Sequence, residues 1–293
     1  MEIKVKTVSP GVRTGCLAVA VNQDAGLSAT GKAIDEATGG ALSKALKQGD
    51  IRGEAGQTLM LHQLPGIAAA RVLLVGMGKA GEMKQETFLK AVEATVQAIN
   101  ASGARDAALT LAEEEVPGRD TAWKLRQQAR LVETGTYRFD ELRSSGDRRP
   151  SLRRVDLLVS GRPGAAARRA CEQGAAIGRG MNLARDLGNR PANVCTPTYL
   201  ARQAKALEKR HQKLKVKVLD EKAMHKLGMG ALLAVARGSH EPARLILLEY
   251  RNGPRGRKPV ALVGKGVTFD SGGISIKPSQ AMDEMKFDMC GAA

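Results

Sequence analysis

The stretch Val263–Asp288, VGKGVTFDSGGISIKPSQAMDEMKFD, decides how this chain is read. It continues an apolar segment, Val260–Val263, expected as a strand, and it sets Lys265, Asp270, Lys277 and Asp288 among glycines. In open α/β sheets ligands bind outside the carboxyl ends of the strands. Glycines at such an end let the backbone turn sharply and approach an ion or a substrate closely. Carboxylates there are hard oxygen ligands for Mn2+, Mg2+ or Zn2+. A lysine beside them has two readings. Protonated, it pairs with a carboxylate or stabilises an oxyanion; beside a dication it can serve as a neutral nitrogen ligand. By residue type alone, charged side chains in a glycine-rich loop are most often simply solvated. No histidine lies in the stretch, which disfavours a His-rich zinc site.

Upstream, strands and helices alternate. Ile3–Val8 alternates apolar and basic residues like an edge strand, and Cys16–Val21, Gln57–His62, Arg71–Val75, Ala107–Leu111 and Val155–Val159 are short apolar strands. Helices are expected over Ala29–Gln48, weakened at Gly39–Gly40, over Lys84–Ala101 through Phe88, Val92, Val96 and Ile99, and over Thr121–Val132. Arg143–Arg154, RSSGDRRPSLRR, reads as an exposed loop, and Gly164–Leu187 as a long helix between domains. Beyond the loop Asn189–Pro197, a helix Thr198–Arg210 is expected with Pro197 in its first turn. A strand Lys213–Leu219 with one wet face, a helix Ala223–Ala236 and a strand Leu245–Tyr250 follow, and Cys290–Ala293 could open a last helix. This alternation predicts α/β layers in two domains: residues 1–163, a joining helix over 164–190, and residues 191–293.

With 43% hydrophobic and 3% aromatic residues, the cores rest on Leu, Val, Ala and Met. The net charge of +16 points to anionic partners and to solubility rather than to fold. Cys16, Cys171, Cys195 and Cys290 are scattered without a CxxC pair, which fits a reduced compartment better than a disulfide frame or a structural zinc site. No apolar run is long enough to span a bilayer, and the first residues lack the apolar core of a signal peptide, so a cytoplasmic protein without membrane contact is expected.

The segment GKGVTFDSGGISIKPSQAMDEMKFDMCGAA closely resembles the signature of the leucyl aminopeptidase (cytosol aminopeptidase) family of dimetal exopeptidases, without a gap from Val263 to Ala293. Asn182–Ala201, NLARDLGNRPANVCTPTYLA, resembles the entry to that family's catalytic domain, and Gly238–Tyr250, GSHEPARLILLEY, a following strand. The resemblance implies an N-terminal α/β (macro-like) domain joined by a helix to a partial α/β metallopeptidase domain. It also implies hydrolysis that releases N-terminal amino acids, leucine preferred, from peptide substrates, with two divalent metal ions, Mn2+ or Zn2+. Carried onto matching positions, Lys265 would ligate one metal through its neutral amine, Asp270 would bridge both, and Asp288 would complete the first metal's ligands in this chain. Lys277 would stay protonated and stabilise the oxyanion of the tetrahedral intermediate, and Met285 would line the pocket for the substrate's first side chain. Two metals polarise a scissile carbonyl and activate water near neutral pH; one also captures the free α-amine, which favours exopeptidase action. The family uses no covalent nucleophile, so Ser271 is read as structural.

The family's remaining ligands, an Asp and a Glu, lie in a later block reading NTDAEGR, whose Arg anchors a bicarbonate that serves as base. No such block occurs here. The expectation is a fragment of a longer product, inactive alone, with an open sheet edge that lowers solubility. The family assembles as homo-hexamers through its catalytic domain.

Other signals are weaker. Gly76–Gly81, GMGKAG, matches GxGxxG after a strand, but Asn100 and Ser102 stand where a ribose-binding acid is needed, so a plain glycine turn is favoured over a dinucleotide site. Arg143–Arg190 holds 11 Arg against Asp147, Asp156, Glu172 and Asp186. DNA is the alternative partner for that surface, as a regulatory binder. The stretch lacks interleaved aromatics for base stacking, so a solubilising face is favoured. His62, His211, His225 and His240 are isolated, and Cys195 has no catalytic histidine at a recognisable spacing.

Overall fold

The computed structural model describes residues 1–9, 11–24, 26–144, 152–254 and 256–293. The described chain divides into two compact units, Met1–Asn182 and Leu183–Ala293.

The first unit contains β1 (Glu2–Thr7), β2 (Leu17–Asn22), β3 (Gly26–Leu27), α1 (Ala29–Ala37), α2 (Ala41–Gln48), β4 (Thr58–His62), β5 (Arg71–Gly78) and α3 (Gln85–Ala101). It continues through β6 (Asp106–Leu109), a 3-10 turn at Leu111–Glu113, α4 (Thr121–Gly135) and β7 (Arg154–Val159) into α5 (Ala165–Asn189). The strands form one sheet in the order β1-β7-β6-β2-β5-β4, with β3 beside β2. All pairings are parallel except those of β3 with β2 and β4 with β5.

Strand alternation explains why helices cover both faces. On β2, Ala18 and Ala20, with Cys16 just before the strand, turn to one core and Leu17, Val19 and Val21 to the other. On β5, Leu73, Val75 and Met77 oppose Val72 and Leu74 in the same way. The first core is filled by Phe88, Val92, Val96 and Ile99 of α3, Leu125 and Val132 of α4, and Ala170, Cys171 and Ala175 of α5. The second is filled by Ile34 of α1 and Leu42 and Ala45 of α2. Each such side chain, fully buried, contributes about 1.5–3 kcal/mol relative to exposure when it is a Val, Leu, Ile or Phe. β1 lies at the sheet edge as expected, and Lys6 on it reaches the buried Asp156 of β7 at 2.8 Å. A basic edge strand resists pairing with another chain.

Several expected boundaries move. The helix expected over Ala29–Gln48 is two helices, because Gly39 and Gly40 take φ of 67° and 83° and turn the chain between them. The strand expected over Ala107–Leu111 ends at Leu109, and Leu111 already belongs to the 3-10 turn. In GMGKAG, Gly76 and Gly78 belong to the end of β5, and the expected turn between strand and helix is confined to Ala80 and Gly81, before α3. A Cβ on Gly76 would stand 2.0 Å from the Glu54 carbonyl, so that glycine admits the Gly53–Glu54 backbone against the strand. Residues 145–151 of the expected Arg-rich loop lie outside the described residues; Arg143 and Ser144 are exposed.

The second unit holds the end of α5, then α6 (Pro197–Arg210), β8 (Leu214–Leu219), α7 (Glu221–Lys226), α8 (Gly230–Ala236), β9 (Leu245–Tyr250) and a 3-10 helix at Met282–Met289. Thr196 caps α6 by accepting from Tyr199 N at 3.2 Å, with Pro197 at its first position. Asp220 caps α7 through Ala223 N at 2.8 Å. The single helix expected over Ala223–Ala236 breaks after Lys226, where Gly228 has a φ of 70°. β8 and β9 pair antiparallel as a two-stranded sheet.

Two expectations near the chain end are corrected. Val260–Val263 is not a strand: no described strand pairs with it, and Val260, Leu262 and Val263 are 87%, 93% and 98% exposed. An apolar run forms a strand only when a neighbour takes up its backbone groups. Cys290–Ala293 does not open a helix; Cys290, Gly291 and Ala292 are turn residues closing the 3-10 helix.

Candidate metal centre

The described residues after β9 form no strand, and short-range contacts shape the segment instead. Gly264 lies against the chain end, where an added Cβ would stand 2.0 Å from the Gly291 carbonyl, and this approach sets the position of Lys265. Asp270 Oδ1 accepts from Gly272 N at 3.1 Å. Gly272 has a φ of 89°, and Lys277 N donates to the Ser271 carbonyl at 2.9 Å, so the loop folds back and brings Lys277 beside Asp270. Ser271, read as structural, supplies that closing carbonyl.

Met285 and Asp288 sit three residues apart on the 3-10 helix, where side chains at that spacing eclipse. Both therefore face Lys277, whose Nζ lies 3.0 Å from Met285 Sδ and 3.4 Å from Asp288 Oδ2. Buried Met289 anchors this helix in a small cluster with Leu187 and Cys195. That anchor lies next to the named site residues and carries no charge, so only its apolar type in the sequence hinted at it.

The four charged residues form a ring of alternating sign. Lys265 Nζ stands 2.8 Å from Asp270 Oδ2 and 3.5 Å from Asp288 Oδ2. Lys277 Nζ stands 3.6 Å from Asp270 Oδ2 and 3.4 Å from Asp288 Oδ2. The Asp270 hydrogen bond holds the Lys265 ammonium above its usual range. The Asp270 carboxyl is held below its usual range, first by Lys265 and then by Gly272 N–H. Side-chain exposures from 27% to 48% leave these pairs open to solvent screening, so they organise the loop more than they stabilise the chain.

Two carboxylates facing two amines are in part a metal-binding set. Asp270 and Asp288 offer oxygen donors, and Lys265 adds a nitrogen donor only after losing its proton, for three in all; a tetrahedral zinc site takes four. Among the described residues, no group of three or more His, Cys, Asp or Glu side chains could hold a metal ion. The four histidines are all exposed. Among the described residues, no helix is long and apolar enough to cross a membrane.

Two family models match the chain: the cytosol aminopeptidase family N-terminal domain over residues 18–146 and the catalytic domain of the same family over residues 182–293. The chain belongs to the cytosol aminopeptidase family. A probable cytosol aminopeptidase of Azotobacter vinelandii is 52% identical over all of this chain and 59% of its own length. The cytosol aminopeptidase of Pseudomonas aeruginosa is 47% identical, again over 59% of its length. The chain thus spans less than two thirds of these cytosol aminopeptidases. Among solved structures, a mutant of tomato leucine aminopeptidase aligns with all of the chain and 57% of its own, at a TM-score of 0.82 and 28% identity. The bottromycin maturation enzyme BotP in complex with Mn aligns with 95% of the chain and 54% of its own, at 0.74 and 33%. The α/β architecture in two family domains agrees with these likenesses.

Proposed function

We propose that the whole protein is a metal-dependent aminopeptidase that releases N-terminal residues, leucine preferred, from peptides. One observation carries this reading: in a chain of the cytosol aminopeptidase family, Lys265, Asp270, Lys277 and Asp288 meet with amine-to-carboxylate distances of 2.8–3.6 Å. Asp270 and Asp288 would hold divalent metal ions, and Lys265 would join them as a neutral amine. A dication close by favours that deprotonation. Bound metals would act as Lewis acids on the scissile carbonyl and lower the pKa of water. Mn2+ is favoured over Zn2+ by the likeness to BotP in complex with Mn.

Lys277 keeps its proton in this reading. Its Nζ beside Met285 Sδ puts a positive charge next to a soft apolar surface, suited to an oxyanion flanked by the substrate's first side chain. A bicarbonate would serve as base. The hexamer and the cytoplasm complete the proposal, the latter supported by relatives named cytosol aminopeptidases. No observation favours the DNA reading of Arg143–Arg190 over this one.

The test is release of leucine from a leucyl anilide by the full-length protein. Activity should vanish with a chelator and return with Mn2+ or Zn2+. Chelator-resistant release, or none under any metal, would overturn the proposal.

A further inference from the structure

The groove between α6 and β8 is rich in donors and poor in acceptors. It is an open groove of about 480 Å3, lined by Thr198, Ala201, Arg202, Lys205, Lys209 and Val218 among others. That size falls in the range of small-molecule sites, roughly 300–1,000 Å3.

Its strand wall is the unpaired edge of β8. Arg251 N donates to the Lys213 carbonyl at 2.9 Å, so Lys213, Lys215 and Lys217 turn their backbone groups towards β9. Val216 and Val218, of opposite parity, turn theirs to the free edge. At Val216 that edge is closed by α6: Glu208 Oε1 accepts from Val216 N at 3.0 Å, and Lys205 Nζ donates to the Val216 carbonyl. At Val218, among the described residues, no side chain closes it.

Arg202, Lys205 and Lys209 fall at i, i+3 and i+7 and share the helix face that borders the groove. Lys205 is engaged by Glu208 at 2.9 Å. Arg202 lies 5.8 Å over the Tyr199 ring, and among the described residues neither it nor Lys209 has a carboxylate partner. From Pro197 to Leu219 seven Lys and Arg residues face a single acid, Glu208. In the same unit Lys265 and Lys277 are already paired with Asp270 and Asp288, whereas Arg202 and Lys209 border one groove with their charges unpaired among the described residues.

We propose that this groove binds a small phosphate-bearing anion, a di- or triphosphate group. Arg202 and Lys209 supply the charge, and the Thr198 hydroxyl and Val218 N–H supply directed hydrogen bonds. Ala201 and Val218 give the attached part of the ligand an apolar floor. Nothing in the proposed peptidase chemistry uses these residues, so the site stands or falls separately.

The test is calorimetric titration of the chain with inorganic tripolyphosphate at about 0.15 M salt, where exposed charges more than about 8 Å apart are screened. Saturable binding is expected, weakened about tenfold or more by R202A and by K209A. A matched loss of charge on exposed α5, R168A with R169A, should leave it unchanged, and circular dichroism checks that each variant is folded. The absence of saturable binding overturns the proposal. Equal weakening by the α5 variant also overturns it, since the binding is then general charge attraction. So does an oligonucleotide whose binding needs Arg202 and Lys209 while tripolyphosphate does not compete, which makes the groove a nucleic-acid surface instead.

Discussion

Lys265 Nζ and Asp270 Oδ2, 2.8 Å apart, form the shortest of the four ion pairs that join the charged residues of the candidate site. Lys277 stands farther from Asp270, at 3.6 Å, and also touches Met285, which separates its proposed role from that of Lys265. In the full-length protein, Lys277→Met should lower kcat by about 10²–10³-fold, the size of a lost oxyanion donor. Bound metal, measured by elemental analysis, should stay constant. Asp270→Ala should lower metal content and turnover together. If Lys277→Met removes metal as thoroughly as Asp270→Ala does, Lys277 is a ligand and not an oxyanion donor.

Glu114 and Lys124 form a buried polar cluster at one end of the sheet in the first unit. Asn22 donates to Glu114 Oε2 at 2.8 Å, and Lys124 Nζ donates to the Glu114 carbonyl at 2.6 Å. Burial pushes the Glu114 carboxyl up from its ordinary 4.5. The folded chain then binds more protons than the unfolded chain from that pH up to the raised value. Stability owed to Glu114 is present below that window and is lost as pH rises through it. Glu114→Gln should flatten this decline in urea melts taken from about pH 4 to about pH 7. An unchanged slope assigns the decline to other groups.

Thiol reactivity should divide the four cysteines. Burial pushes Cys16 up to about 12 and Cys171 up to about 11, so neither offers thiolate near neutral pH. Cys195 is also buried, and Cys290 is exposed. Alkylation of the native chain followed by peptide mass spectrometry should find Cys290 modified first and Cys16 and Cys171 only after unfolding. Early labelling of Cys16 would mean that the β2 core opens readily.

Gly76→Ala tests the close approach at the end of β5. The new methyl would stand 2.0 Å from the Glu54 carbonyl, so either the strand or the Gly53–Glu54 backbone must move. Overpacking of this kind costs about 1–3 kcal/mol, which a denaturation midpoint detects. A variant as stable as the parent would show that the Gly53–Glu54 backbone yields freely.

Much of the first unit is legible in the sequence because its signals are local. Phe88, Val92, Val96 and Ile99 recur at helical spacing, and all four are buried in the core under α3. The apolar runs of β2, β5 and β7 are too short for helices and too apolar for loops. What failed was punctuation. Gly39–Gly40 reads equally as a weak point within a helix or as its end, and Gly76 reads equally as a turn or as a strand residue beneath another backbone. Only the position of the opposing chain, such as the Glu54 carbonyl, separates these readings.

By itself, the order of residues determined the α/β class, the family and the four charged side chains in their glycine-rich setting, because periodicity and motif spacing are carried along the chain. It did not determine which of those charges meet. The Ser271–Lys277 closure, the shared face of Met285 and Asp288, and the packing of Gly264 on Gly291 bring them together. Whether Val260–Val263 becomes a strand was also outside its reach. That depends on a neighbouring strand to take up its amides, and the opening between α6 and β8 depends in the same way on where one helix crosses one edge.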